Sequence, residues 1–152
     1  MATRKNNEQQ TYLETSILTA APEDLIVKIF DVLIIATQQA HEKLVNERDD
    51  IEGIHKALLR GQRACTVLMS SLNMEIGGEL SENLLRVYGF WHRELVMANM
   101  RKDPTRVERI LGYAREYRDT WNVAVTQFKA QKRGQTGLAG GDGMTSTFAA
   151  VG

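Results

Sequence analysis

The sequence predicts an all-α protein: an antiparallel four-helix bundle with a short N-terminal helical lid segment and a disordered C-terminal tail. Three observations carry this. Four long segments each repeat apolar residues at alternating spacings of three and four. No segment alternates with period two, so no sheet is expected. The 152 residues contain only two prolines, Pro22 and Pro104, and each is placed to begin a helix.

Residues 1–11 are polar and read as a disordered N-terminus. From Tyr12 to Leu18 a short apolar patch (Tyr12, Leu13, Ile17, Leu18) has the spacing of one helical face and is expected to form a lid, residues 12–18, on the 12–130 bundle domain. Pro22 then opens a first long helix over about 22–46, with Glu23 and Asp24 suiting its positive end. Its stripe is Ile26, Ile29, Phe30, Leu33, Ala36, Thr37, Ala40 and Leu44. The second helix spans about 50–72, with Ile51, Ile54, Leu58, Gly61, Cys65, Leu68 and Leu72 inward. The third spans about 79–100, with Leu80, Leu84, Val87, Tyr88, Trp91, Leu95 and Ala98 inward. The fourth, capped by Asp103, spans about 104–130 through Val107, Ile110, Ala114, Tyr117, Trp121, Ala124 and Phe128. Such stripes with short connections define a bundle. Residues 131–152, with Gly134, Gly137, Gly140, Gly141 and Gly143, lose all periodicity and read as a disordered Gly-rich tail.

Composition narrows the function. Apolar (43%) and charged (25%) contents are those of a globular domain, and 19 basic residues balance 19 acidic ones. No basic excess points to nucleic acid. The longest purely apolar run, Val32 to Ala36, is far too short for membrane insertion. One cysteine, Cys65, permits no internal disulfide and fits a reducing compartment, and the polar start lacks a secretory signal, so the expected location is cytoplasmic.

No enzyme chemistry is expected. A di-iron bundle needs inward Glu-x-x-His on two helices, and Glu52-Gly53-Ile54-His55 has that spacing once, with Glu52 turned away from the apolar face. Cys65 sits at a core position, where a thiol is an inert hydrophobe. Gly77-Gly78 lacks phosphate-loop spacing and follows a helix. No cofactor and no metal are called for.

What remains is surface. The first long helix is apolar beyond its stripe: Leu25, Val27, Val32, Ile34 and Ile35 lie on its flanks or back. Either it is the most buried helix of the bundle or part of it lines an apolar groove. Methionines at helix ends (Met69, Met74, Met97, Met100) suit adaptable apolar contacts. The connector from Ser70 to Leu80 pairs two glycines with Leu72, Met74 and Ile76, where a solvated loop would carry polar residues.

That connector, together with Thr19-Ala20-Ala21-Pro22-Glu23-Asp24-Leu25-Ile26 continued by Phe30-Asp31, resembles the signature of the flagellar secretion chaperones of the FliS type. Tyr12, Ala98-Asn99-Met100-Arg101-Lys102-Asp103 and Arg118-Asp119-Thr120-Trp121 support the likeness, which covers roughly Tyr12 to Lys129. Ala21 stands where the family commonly has a capping serine, Phe30 where it has tyrosine, and Val32 where it has a small residue. The resemblance implies a bundle that holds the disordered C-terminal segment of flagellin, prevents premature polymerisation and delivers it to the export gate. On this reading the partner-binding residues are Tyr12, Leu13, Ile17, Val27, Ile34, Met74, Ile76, Met97 and Met100, on a monomer or weak homodimer. The alternative is a generic helical adaptor or self-associating regulator without a flagellin client.

Overall fold

The computed structural model describes residues 2–135 as five helices: α1 (Ala2–Thr19), α2 (Pro22–Asn46), α3 (Ile51–Ser70), α4 (Met74–Arg101) and α5 (Pro104–Gln135). Within α1 the side chains of Ile17 and Leu18 are outside the described set, as is the tail expected beyond 135. The bundle is built from α2 to α5, each helix packed on the next, with α5 closing against α2 and α1 resting on α2.

The core is continuous. Phe30, Leu33, Ala40 and Leu44 of α2 meet Ile54, Leu58, Cys65 and Leu68 of α3, Tyr88, Trp91 and Leu95 of α4, and Val107, Ile110 and Ala114 of α5. Near its middle an aromatic cluster ties three helices. Phe30 makes edge contacts with Tyr88 at 6.1 Å and Trp91 at 6.3 Å, and Trp91 meets Tyr117 at 5.0 Å. Such edge-to-face geometry adds to the burial of each ring. Gly61 permits the close approach beside it: a Cβ there would stand 3.1 Å from Leu95 and 3.8 Å from Leu33 and Thr37. Thr37, fully buried on α2, satisfies its hydroxyl within the helix by donating to the Leu33 and Ile34 carbonyls.

The structure departs from the sequence expectation at the ends of elements. The segment 1–11 is not a disordered leader: α1 begins at Ala2, ten residues before the expected lid. This stretch has no glycine or proline and carries Ala, Arg, Lys, Glu and Gln, so a helix anchored farther along the chain extends through it at little cost. The helix α5 runs to Gln135, five residues past its expected end, on the exposed and helix-favouring Gln131, Lys132 and Arg133. Ile51 and Leu80, placed inward by periodicity, are exposed. Each lies in the first turn of its helical segment, beyond the end of the core, which begins at Ile54 in α3 and Ser81 in α4. Trp121 packs on the core but is only half-buried, and Val125 takes the deeper place. Helix α5 is also fastened to α2 from its middle to near its C-terminal end, by Arg118–Asp31 at 2.9 Å and Lys129–Asp24 at 2.6 Å.

The start of α2 shows the effect of Ala21. It has the extended backbone of an N-cap (φ −62°, ψ 151°), yet no side chain caps the helix. Its carbonyl accepts from the Asp24 and Leu25 N–H groups, and Pro22 has no N–H to satisfy.

Two stability outcomes follow. Trp91→Ala should cost about 3–5 kcal/mol, the usual price of emptying a fully buried aromatic site, and Trp121→Ala clearly less. Urea unfolding of both variants checks the order; equal losses would refute this placement of α5. Ala21→Ser should gain about 1 kcal/mol by supplying the missing cap to a backbone already in cap geometry, read as a higher denaturant midpoint at unchanged slope.

Candidate functional site

The apolar surplus of α2 is resolved by position. Val27 is buried in the bundle core, so it is a packing residue rather than an open groove residue. Val32 and Ile34 are half-buried and pack against the same core. Ile35, on the opposite face, looks into a cleft between α1 and α2 of about 570 Å³, otherwise lined by polar or charged groups that include Lys5, Gln9, Gln38, Glu42 and Lys43. Leu25 stays exposed. The helix is thus covered by the bundle on its inner face and flanks and approached by α1 from behind.

The contacts described for α1 are with α2. Among its described side chains Leu13 alone is buried, while Tyr12 is 71% exposed. A single leucine-sized burial contributes about 1.5–3 kcal/mol. The cleft beside it is polar and charged: Lys43 bridges Glu47 at 2.9 Å and Asp50 at 2.7 Å. The Lys43 ammonium and the Gly53 N–H hold the Asp50 carboxyl below the usual carboxylate range.

The remaining expected contact residues do not form one patch. Met74 and Ile76 are exposed at the α3–α4 connection. Met97, half-buried, and Met100, exposed, lie at the other end of α4. About twenty residues of helix at 1.5 Å per residue separate the two groups by about 30 Å. One compact ligand cannot touch both, whereas an extended segment can. Sequence reasoning missed a further apolar groove between α4 and α5, about 300 Å³, lined by Arg86, Val87, Phe90, Trp91, Tyr113 and Tyr117. Phe90 and Tyr113 fall off the core stripes, and their off-stripe aromatic character was the available signal.

Several sequence segments singled out above turn out to be joints. Asp31 and Arg118 pair across α2 and α5. Lys102 closes α4 in a left-handed conformation (φ 50°), its N–H bonded to the Ala98 carbonyl. Asp103 accepts from the Thr105 N–H, and Asn99 contacts the His55 ring at 2.8 Å. Asn73 caps α4 by accepting from the Glu75 and Ile76 N–H groups. Gly78 breaks α4 with φ 50° and ψ −125°, a backbone that glycine adopts without strain.

Glu52 forms an exposed pair with Lys56 at 2.9 Å. Among the described residues no group of three or more His, Cys, Asp or Glu is arranged to hold a metal, and no helix is long and apolar enough to cross a membrane. Cys65 is fully buried, and desolvation pushes its thiol up to about 12. Burial likewise raises the Tyr88 phenol, with Trp121 the polar neighbour that partly offsets it.

These elements define an all-helical bundle with an appended N-terminal helix that rests on α2. The particular family is shown by comparison: the model of the family described as flagellar protein FliS matches residues 4–128, and the chain belongs to that family. It is similar to the flagellar secretion chaperone FliS of Bacillus subtilis, 28% identical over 133 residues covering 88% of this chain and 97% of that protein. It is also similar to the flagellar secretion chaperones FliS of Salmonella typhimurium (29%, covering 74% and 82%) and Escherichia coli (27%, covering 76% and 85%).

The Cys65 site gives a direct check. In the native protein its alkylation at pH 8 should be about 10³-fold or more slower than in the unfolded chain, since access requires opening the core. The folded thiol titrates above the unfolded one. Its contribution to stability is therefore complete below about 9 and is lost as pH rises from there toward about 12. Fast alkylation without unfolding would contradict the buried placement.

Proposed function

We propose that this protein is a cytoplasmic export chaperone that holds the C-terminal segment of flagellin, keeps it from polymerising and passes it to the flagellar export gate. The observation that carries the reading is the pairing of a helix apolar on more than one face, α2, with a cover, α1, whose described apolar anchor is a single leucine. A client segment that is disordered when free can fold on such a surface, trading ordering entropy against apolar burial. Leu13 marks the seam the client would open, and Tyr12 stands ready at its edge. Ile35, on the face of α2 behind the bundle, would be reached once α1 lifts, whereas Ile34 packs at the margin of the bundle core and would meet a client only at its exposed edge. Ile17 belongs to the same helix by sequence. Met97 and Met100 would meet an extended client at the far end of α4. The cover lowers apparent affinity by the fraction of time it is closed and shields apolar surface in the free state. Membership of the FliS family supports the choice of flagellin as client.

Hydrogen exchange on the free protein and on the protein saturated with a flagellin C-terminal peptide tests this. The expected result is loss of protection across Tyr12 to Leu18 with new protection on α2 around Ile35. New protection on α2 with α1 unchanged would remove the cover from the mechanism. Absence of peptide binding, with self-association instead, would favour the adaptor alternative.

A further inference from the structure

The connection between α3 and α4 is built more firmly than a linker requires. Asn73 organises it. Its side chain accepts two N–H groups, and its carbonyl accepts from the Gly77 N–H at 2.9 Å and from the buried Ser81 hydroxyl at 3.0 Å. The Gly78 break then turns the short Met74–Gly77 helical turn away from the rest of α4. Leu72 folds inward onto the core, while Met74 (43%), Ile76 (53%) and Leu80 (53%) remain exposed within seven residues. A well-ordered tip presenting apolar side chains loses little conformational entropy on binding.

Charge indicates what it fits. Glu75, Glu79 and Glu82 are all exposed here, and no Lys or Arg occurs between Arg63 and Arg86. Carboxylates at a helix start suit its dipole, but that does not account for the bare apolar residues between them. A second copy docking tip to tip would bring two such sets of carboxylates together, which like-charge repulsion opposes. The tip joins α3 to α4, whereas the contacts of α1 are with α2.

We propose that the α3–α4 tip is a second docking surface, separate from the α1–α2 seam, for a protein that presents an apolar pocket edged by lysine or arginine side chains. Apolar insertion supplies affinity and the glutamates steer the approach. The surface stays available while a client occupies the seam, so a client-loaded protein can be recognised through it.

The test uses the full chain, isotope-labelled, titrated with a short amphipathic helical peptide of leucine and lysine and with its leucine–glutamate counterpart. Shifts should concentrate on Met74 to Leu80 with the lysine peptide and be absent with the glutamate one. Met74→Ser with Ile76→Ser should weaken the lysine peptide about tenfold or more, as for loss of interface anchors. Neutralising Glu75, Glu79 and Glu82 to glutamine should weaken it and flatten its salt dependence. These positions are largely exposed, so unfolding midpoints should fall only slightly, by the helix-start charge that the glutamines remove. No binding, shifts scattered elsewhere, or indifference to the serine pair overturns the proposal. So does a dimer that the serine pair converts to monomer, which would make the tip a self-association surface. Loss of flagellin-peptide affinity in the serine variant would also overturn it by merging the tip with the client site, while leaving the client reading intact.

Discussion

Helix α2 is apolar over more of its circumference than one bundle contact can cover, and the architecture answers that constraint. Its inner stripe, Phe30, Leu33, Ala40 and Leu44, goes to the common core. Its flanks go to α3 and α5, where Val27 becomes a core residue and Val32 and Ile34 pack at the margin. Its back is left to α1. Because apolar surface left in water is costly in proportion to its area, the apolar flanks of such a helix pack against its bundle neighbours, and Ile35 is the apolar residue in the cleft that faces α1.

The two ends of the problem are solved with different chemistry. On the bundle side α2 is fixed by close packing and by ion pairs, Asp31 with Arg118 and Asp24 with Lys129. These pairs are partly exposed, so their contribution is modest, but they set which side of α2 receives the later turns of α5. On the outer side the cover stands over a cleft of polar and charged groups, with Ile35 the apolar residue at its wall.

The turns between helices are fixed by specific hydrogen bonds and backbone conformations. The Asn73 cap, the Ser81 hydroxyl bond and the Gly78 break hold the α3–α4 tip in one shape, and the left-handed Lys102 closes α4 just before the turn into α5. The sequence segments that resemble the family's signature largely map to these joints. Turns and caps tolerate few residue types: an αL position or a glycine-only backbone admits few substitutions without strain.

The sequence by itself determined the helices, their inward stripes and the all-α class, because heptad-like periodicity and proline placement are local properties of the chain. It also carried the family likeness, since Pro22, the glycine pair and the Asp103-Pro104 start are each readable in place. The tertiary structure decided which apolar residues count as surface. Val27 and Met100 look alike as candidates in sequence, yet one is core and the other is exposed, because burial depends on which neighbour arrives. The same reason hid the Phe90–Tyr113 groove, the outward turn of Leu80 beyond the core's end, and the extent of α1, whose polar first half is helical as an extension of a docked helix. Local pattern specifies faces; only the packing of α1, α2 and α5 against one another specifies which of those faces remain open.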